Sequence, residues 1–285
     1  MSKTVLVTGA STGIGFDCVR VLVENGFKVI ATVRKESDKS NIENVFAGQA
    51  NAVLLDVNNF AEVERLPQIL REKFNLQSLY GLVNNAGVAF GGPFAFQDFS
   101  EVQNIIQTNV LALMKMTQVC IPMLQANAQT GHAGGRIVNI SSISGTSALP
   151  FLSVYAASKH AVEGFSEALQ NELKLLKIKV LVVAPGSIKT PIWQKGFEAV
   201  QTQYQNTAYA ESIERFMKIV ESEVRHALPV SEVSRCVLDA LTAENPKLRY
   251  EPIPRKFRNK YVLSLLPRFL MDYSISRTLG LLPRD

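Results

Sequence analysis

The sequence predicts an α/β fold in a single domain: a doubly wound parallel sheet with helices on both faces. Three observations carry this. Short β-branched runs alternate with longer helical patterns. The runs are continuously apolar, as strands covered on both faces require. A glycine-rich turn follows the first of them.

The expected strands, in order, are TVLVTG (4–9), KVIATV (28–33), NAVLLDV (51–57), LYGLVNN (79–85), GRIVNIS (135–141) and KVLVVAP (179–185). LRYEPIP (248–254) is a candidate seventh. Helical patterns lie between them near 13–25, 59–74, 100–127 and 154–177. Repeated β–α–β units imply right-handed crossovers and a parallel sheet. Ligands of such sheets bind at the carboxyl ends of the strands, near the switch point.

TGASTGIG supplies Gly9, Gly13 and Gly15 between the first strand and its helix. Glycines there allow a tight turn and let backbone N–H groups approach a pyrophosphate at the helix N-terminus. The spacing is G-x-x-x-G-x-G rather than the G-x-G-x-x-G dinucleotide fingerprint, and a turn without a ligand is the bland alternative. The second strand ends ATVRK, placing Arg34 and Lys35 at a tip with no acid. A carboxylate there would bind a ribose 2′-hydroxyl, whereas arginine suits a 2′-phosphate. NADP(H) is therefore expected over NAD, with a solvated loop arginine as the alternative.

In SVYAASKHAVEGF (153–165), Tyr155 and Lys159 stand four apart, on one helical face. An isolated Y-x-x-x-K also fits a core tyrosine beside a lysine that snorkels to solvent. A free phenol has a pKa of ~10, so acid–base work near pH 7 needs about 4 kcal/mol of differential stabilisation. One positive charge at ~4 Å and an effective dielectric of ~20 supplies about that. Lys159 is placed to do so.

Taken together these residues resemble the short-chain dehydrogenase/reductase family, over roughly residues 3 to 190 and more loosely to about 250. The motifs stand in family order: Thr8-Gly9-x-x-x-Gly13-x-Gly15, Asp56-Val57, NNAG at Asn84 to Gly87, TNV with Asn109, Ser142, Tyr155 with Lys159, and PGSIKT from Pro185 to Thr190. Among subgroups the chain is similar to hydroxysteroid and retinol dehydrogenases. The resemblance implies a Rossmann-type fold and transfer of a hydride between nicotinamide and an alcohol or carbonyl carbon. It implies that Tyr155 is the acid/base, that Lys159 lowers its pKa and binds ribose, and that Ser142 steadies the substrate oxygen. Asn109 would hold a water that relays protons. For the cofactor it implies Gly9, Ser11, Thr12, Gly13, Ile14 and Gly15 at the pyrophosphate, with Ser11 and Arg34 near the 2′-phosphate. Asp56 and Val57 would lie near adenine, and Asn85, Ala86 and Gly87 along the cofactor. Pro185, Gly186, Ile188 and Thr190 would follow, the last two at the carboxamide.

The segment 191–228, with Trp193, Phe197, Tyr204, Tyr209 and Phe216, exceeds an ordinary connection and suggests a helical lid within about 190–229. Its aromatics suggest an apolar alcohol or ketone, with Trp193, Ser142 and Tyr155 as contacts. Expected domain limits are 1–255 and a C-terminal extension, 256–285.

Composition is ordinary for a soluble enzyme, 47% hydrophobic and 19% charged. The three cysteines are far apart and the histidines scattered, so no metal site or disulfide framework is expected, and no nucleic-acid partner. A cytoplasmic, homo-oligomeric protein is the expectation. From Pro246 on, nine Lys/Arg stand against three acids, so this tail carries +6 and the preceding body −1. The tail also contains YVLSLLPRFLM (261–271), too short to span a bilayer, for which closing the substrate pocket, packing against another subunit and peripheral contact with an anionic membrane are the competing uses. The competing function classes are a cofactor-binding sensor without chemistry and a membrane-surface scaffold.

Overall fold

The computed structural model describes residues 3–125, 133–190, 200–254 and 267–283. Seven parallel strands run β1 (Thr4–Val7), β2 (Lys28–Val33), β3 (Ala50–Leu54), β4 (Gly81–Asn84), β5 (Arg136–Ile140), β6 (Lys179–Val183) and β7 (Arg249–Tyr250). Their spatial order is β3-β2-β1-β4-β5-β6-β7, which puts the switch point between β1 and β4. The seventh strand pairs only Val182 with Arg249 and Val183 with Tyr250.

Alternation within each strand feeds two cores. Val5, Val7, Val29 and Val138 face one side, where they meet α1 (Gly13–Glu24), α2 (Glu36–Val45) and α9 (Val230–Thr242) through Cys18, Leu22, Ile42, Val233 and Val237. Leu6, Ile30, Leu82 and Ile137 face the other, against α3 (Phe60–Phe74), α5 (Ala112–Leu124) and α6 (Ser153–Glu172). With both faces covered, every strand can be apolar throughout. The predicted doubly wound, single-domain sheet is therefore observed. Helices α2 and α9 add to the elements expected from sequence.

The expected helix over 100–127 is α4 (Phe99–Ile106) continuing into α5 through a π turn, Gln107–Leu111. α3 starts on Asn59, whose side chain accepts from Glu62 N at 3.3 Å while its amide donates to the Glu62 carboxylate at 2.7 Å, a reciprocal cap. Beyond β6, α7 (Val200–Gln203) and α8 (Ala210–Arg225) lie in the segment expected to be a lid, and α10 (Arg268–Leu279) packs against α8. Phe151, Tyr204, Ile213, Phe216 and Leu279 make a third apolar cluster there. Ser212 Oγ donates to the Gly280 carbonyl at 3.4 Å, so the described end of the C-terminal extension is docked on the lid. Among the described residues, no helix is long and apolar enough to cross a membrane.

Candidate active site

The expected site residues follow the carboxyl ends of successive strands: Gly9 to Gly15 after β1, Arg34 after β2, Asp56 and Val57 after β3, Asn85 to Gly87 after β4, Ser142 after β5 and Pro185 to Thr190 after β6. A doubly wound sheet brings these loops to one edge.

At the switch point the turn is held by Thr8. Its Oγ1 accepts from Asn85 N and Ala86 N, both at 3.0 Å, while Asn85 Nδ2 donates to the carbonyls of Thr8 at 2.9 Å and Gly9 at 3.0 Å. Gly9 has φ +63°, and a side chain there would bring a Cβ to 2.8 Å from Ala86 Cα. At Gly15 a Cβ would overlap the Gly9 carbonyl oxygen and come to 2.5 Å from Asn85 Nδ2. Thr12 precedes α1 without a side-chain cap, and no acid lies in the first turn. The first N–H groups of a 12-residue helix thus point from a glycine cradle without an internal partner. That arrangement fits a dinucleotide pyrophosphate.

Arg34 is exposed just past β2. The nearest acid in sequence, Glu36, is taken by Lys39 at 3.1 Å. The strand tip therefore presents cationic character. Asp56 is half-buried, and its Oδ1 caps Asn58 N at 3.0 Å. Val57 is buried beside it. After β6, the Pro185 carbonyl accepts from Ile143 N at 2.9 Å, Gly186 N donates to the Pro252 carbonyl at 3.1 Å, and buried Ile188 bridges to Leu228. Trp193 lies outside the described residues.

Ser142, Tyr155 and Lys159 are brought together. Ser142 is buried at the end of β5 and accepts Ser144 N at 3.1 Å. Burial pushes the Tyr155 phenol above its ordinary range, and the influence of the Ser142 hydroxyl works against that. Lys159 is buried too, with Nζ donating to the Ile140 carbonyl at 2.9 Å and lying 5.8 Å from the Tyr155 ring centre. Desolvation brings its pKa down to about 8, with Glu163 opposing. The influences on Tyr155 are thus burial, which raises its pKa, and Ser142, which lowers it.

Asn109 sits in the π turn and braces the site. Its Oδ1 accepts from Val88 N at 2.8 Å, and its Nδ2 donates to the Val88 carbonyl at 2.9 Å and to Ser158 Oγ at 3.1 Å. These bonds use both Nδ2 hydrogens and one of the two lone pairs of Oδ1. Ser158 in turn donates to the Tyr155 carbonyl at 2.7 Å, so the π turn is tied to α6.

Two contributors escape motif reading. Asn139, on β5, accepts from Asn84 Nδ2 at 2.9 Å and donates to Ser166 Oγ at 2.9 Å, linking the NNAG turn to α6 beneath the site. Glu163, four residues beyond Lys159, pairs with Arg249 of β7 at 3.2 Å. Its i+4 spacing from the lysine is the one sequence signal that points to it.

The chain is similar to several known proteins. An NADPH-dependent 3-dehydrocapnine reductase of Ornithobacterium rhinotracheale is 32% identical over 267 residues, covering 94% of each chain. The 17-beta-hydroxysteroid dehydrogenase type 6 of Mus musculus is 31% identical over 98% of this chain and 89% of its own. The structure of ElxO with NADP bound superposes with a TM-score of 0.70 at 26% identity, over 89% of this chain and 98% of that one. Residues 3–201 match the short chain dehydrogenase family, and the chain belongs to that family of oxidoreductases.

Proposed function

We propose that the protein is an NADP(H)-dependent oxidoreductase acting on an apolar secondary alcohol or ketone, or an aldehyde. The observation that carries this is the meeting of Ser142, Tyr155 and Lys159 at the strand ends, opposite the uncapped N-terminus of α1. NADP(H) supplies or accepts the hydride. A substrate oxygen would accept hydrogen bonds from both the Ser142 and Tyr155 hydroxyls. In reduction Tyr155 gives its proton to that oxygen, and in oxidation it takes one back. Ser142 stabilises the charge that develops on the oxygen meanwhile. A protonated Lys159 would favour the phenolate that remains and would bind the ribose.

Arg34, unopposed by acid at the β2 tip, supports the phosphorylated cofactor. The relatives named above include an NADPH-dependent reductase and a hydroxysteroid dehydrogenase, which supports the same reading. An apolar substrate is supported by the aromatic lid, where Tyr209 packs against Phe96 and Phe151 with ring centres 6.1 Å apart in both pairs. The intact Ser142, Tyr155 and Lys159 argue against a silent sensor. A homo-oligomer in the cytoplasm fits this reading. Peripheral membrane contact is favoured by α10, which exposes Phe269 (69%), Leu270 (45%) and Tyr273 (54%) beside Arg268. Binding to anionic vesicles at low salt tests that contact, and protein that stays in the supernatant would remove it.

The decisive experiment is NADPH oxidation with a panel of hydrophobic ketones and aldehydes. Turnover with NADPH exceeding that with NADH is expected. NADPH bound without turnover of any carbonyl would favour the sensor instead.

A further inference from the structure

Lys159 and Glu163 are one turn apart on α6, so their side chains leave the same face. The Glu163 side chain is 17% exposed and is clamped by Arg249, from Nε to Oε2 at 3.2 Å and from Nη2 to Oε1 at 3.3 Å. Arg249 also pairs with Glu251, so β7 and the residue after it bring both a cation and a second carboxylate next to Glu163. The turn following Ser142 presses on the same spot. A Cβ at Gly145 would meet Glu163 Cγ at 2.8 Å and the Lys159 carbonyl at 3.0 Å. Glu163 thus sits against the main chain of both catalytic segments.

Among the described residues, the charged and titratable groups around this pair are few. α6 supplies Tyr155 and Glu163, with His160 and Glu167 exposed on the same helix, and β7 supplies Arg249, with Glu251 just after it. β5 offers the Ile140 carbonyl, and the π turn offers the neutral amide of Asn109. α4 carries one acid, Glu101, whose field is felt at Tyr204 of the lid. Lys159 is therefore subject to two main opposing influences: burial, which disfavours its charge, and the carboxylate of Glu163, which favours it. Arg249 pairs with that carboxylate, and its positive charge offsets part of the field.

We propose that the Glu163–Arg249 pair, outside the motifs that define the family, sets how firmly Lys159 keeps its proton. Glu163 acts as a positioning residue that holds the ammonium in its charged form, and Arg249 limits that hold. The inference deepens the functional reading, because it matters for catalysis only if Lys159 serves Tyr155 and the ribose. The two variants must act in opposite directions. Removing the carboxylate charge by Glu163→Gln leaves burial unopposed and makes the lysine easier to deprotonate. Removing the guanidinium by Arg249→Met strengthens the carboxylate's field and makes it harder. Loosened packing alone has no reason to produce opposite signs.

The test is the titration of lysine 13Cε resonances by NMR in the cofactor-free protein, with the Lys159 signal identified by its absence in Lys159→Arg. Glu163→Gln is expected to lower the Lys159 midpoint by about half a pH unit or more, and Arg249→Met to raise it. Arg249→Lys keeps the charge and should stay near wild type. In parallel, the alkaline loss of NADPH affinity should begin at lower pH in Glu163→Gln. An unmoved midpoint in Glu163→Gln, or shifts of the same sign in both charge-removing variants, overturns the proposal. Failure of the wild-type protein to bind NADPH would overturn the functional reading, while the midpoints, taken on free protein, still decide the charge coupling.

Discussion

The glycine-loop side of the cleft and the lid side are held by different forces. On the first, Thr8, Asn85 and Ala86 lock β1 to β4 through four hydrogen bonds of 2.9–3.0 Å, and Asn109 fixes Val88 with two more of 2.8 and 2.9 Å. Such bonds are directional, and breaking one leaves a buried group unsatisfied at a cost of about 1–3 kcal/mol. On the second, Phe151, Tyr209 and Phe216 meet edge to face, and the Tyr204 hydroxyl has no hydrogen-bond partner among the described residues although it is buried. Phe151 is held at φ +68°, a strained setting for a bulky residue, by Gly92 N donating to its carbonyl at 2.8 Å and by that aromatic packing. Apolar contact fixes distance but little orientation. A rigid half suits an invariant cofactor, and an adaptable half suits a substrate that must enter and leave.

This contrast can be broken from either side. The largest effect is expected from Gly15→Ala, whose Cβ has no room beside the Gly9 carbonyl and Asn85. NADPH affinity, read by fluorescence titration, should fall by at least ~10²-fold because the pyrophosphate cradle must shift. Unchanged affinity would mean the cofactor does not use this turn. Arg34→Ala comes next: the preference for NADPH over NADH in kcat/KM should narrow by roughly 1.5–3 kcal/mol, the worth of a hydrogen bond to a charged group. A wild-type preference for NADH would instead call for Glu36 and Asp38 as ribose contacts.

On the lid, Phe151→Ala should raise KM for a bulky apolar ketone roughly tenfold and leave NADPH affinity alone. If cofactor affinity falls equally, the two halves are not separable as described. Tyr204→Phe is the smallest change. Since the phenol oxygen lacks a partner, its removal should leave stability unchanged or raise it by up to about 1 kcal/mol in thermal unfolding. A clear loss of stability would reveal a hydrogen bond that sets the lid as firmly as the glycine loop.

The two halves also differ in how far the sequence discloses them. The strands are legible because both faces are buried, and their ends fall short of the apolar runs where the chain turns into the site loops: TVLVTG continues to Gly9, but pairing in β1 stops at Val7. α2 gives no stripe because Ile42 is its one buried residue. α9 carries a clear stripe in Val233, Val237, Ala240 and Leu241, yet its packing beside α1 is decided by topology. Tyr155, Lys159 and the glycines stand out because the chemistry demands those residue types at fixed spacing. The π turn at Asn109 leaves no such mark, since its register depends on bonds to Val88 and Ser158, 21 and 49 residues away. The same holds for Arg249, which reaches Glu163 across 86 residues of chain. Long-range polar pairing is what periodicity and motif spacing leave unseen.

The central claim is that Tyr155 moves the proton while the glycine-loop side holds the cofactor independently of it. The most direct test is to measure NADPH affinity and kcat together in Tyr155→Phe, using the best ketone from the panel. The expected result is near-wild-type affinity with kcat reduced by at least ~10²-fold, the scale of acid–base catalysis. A kcat within a few-fold of wild type would contradict the assignment of Tyr155 and with it the account of the site.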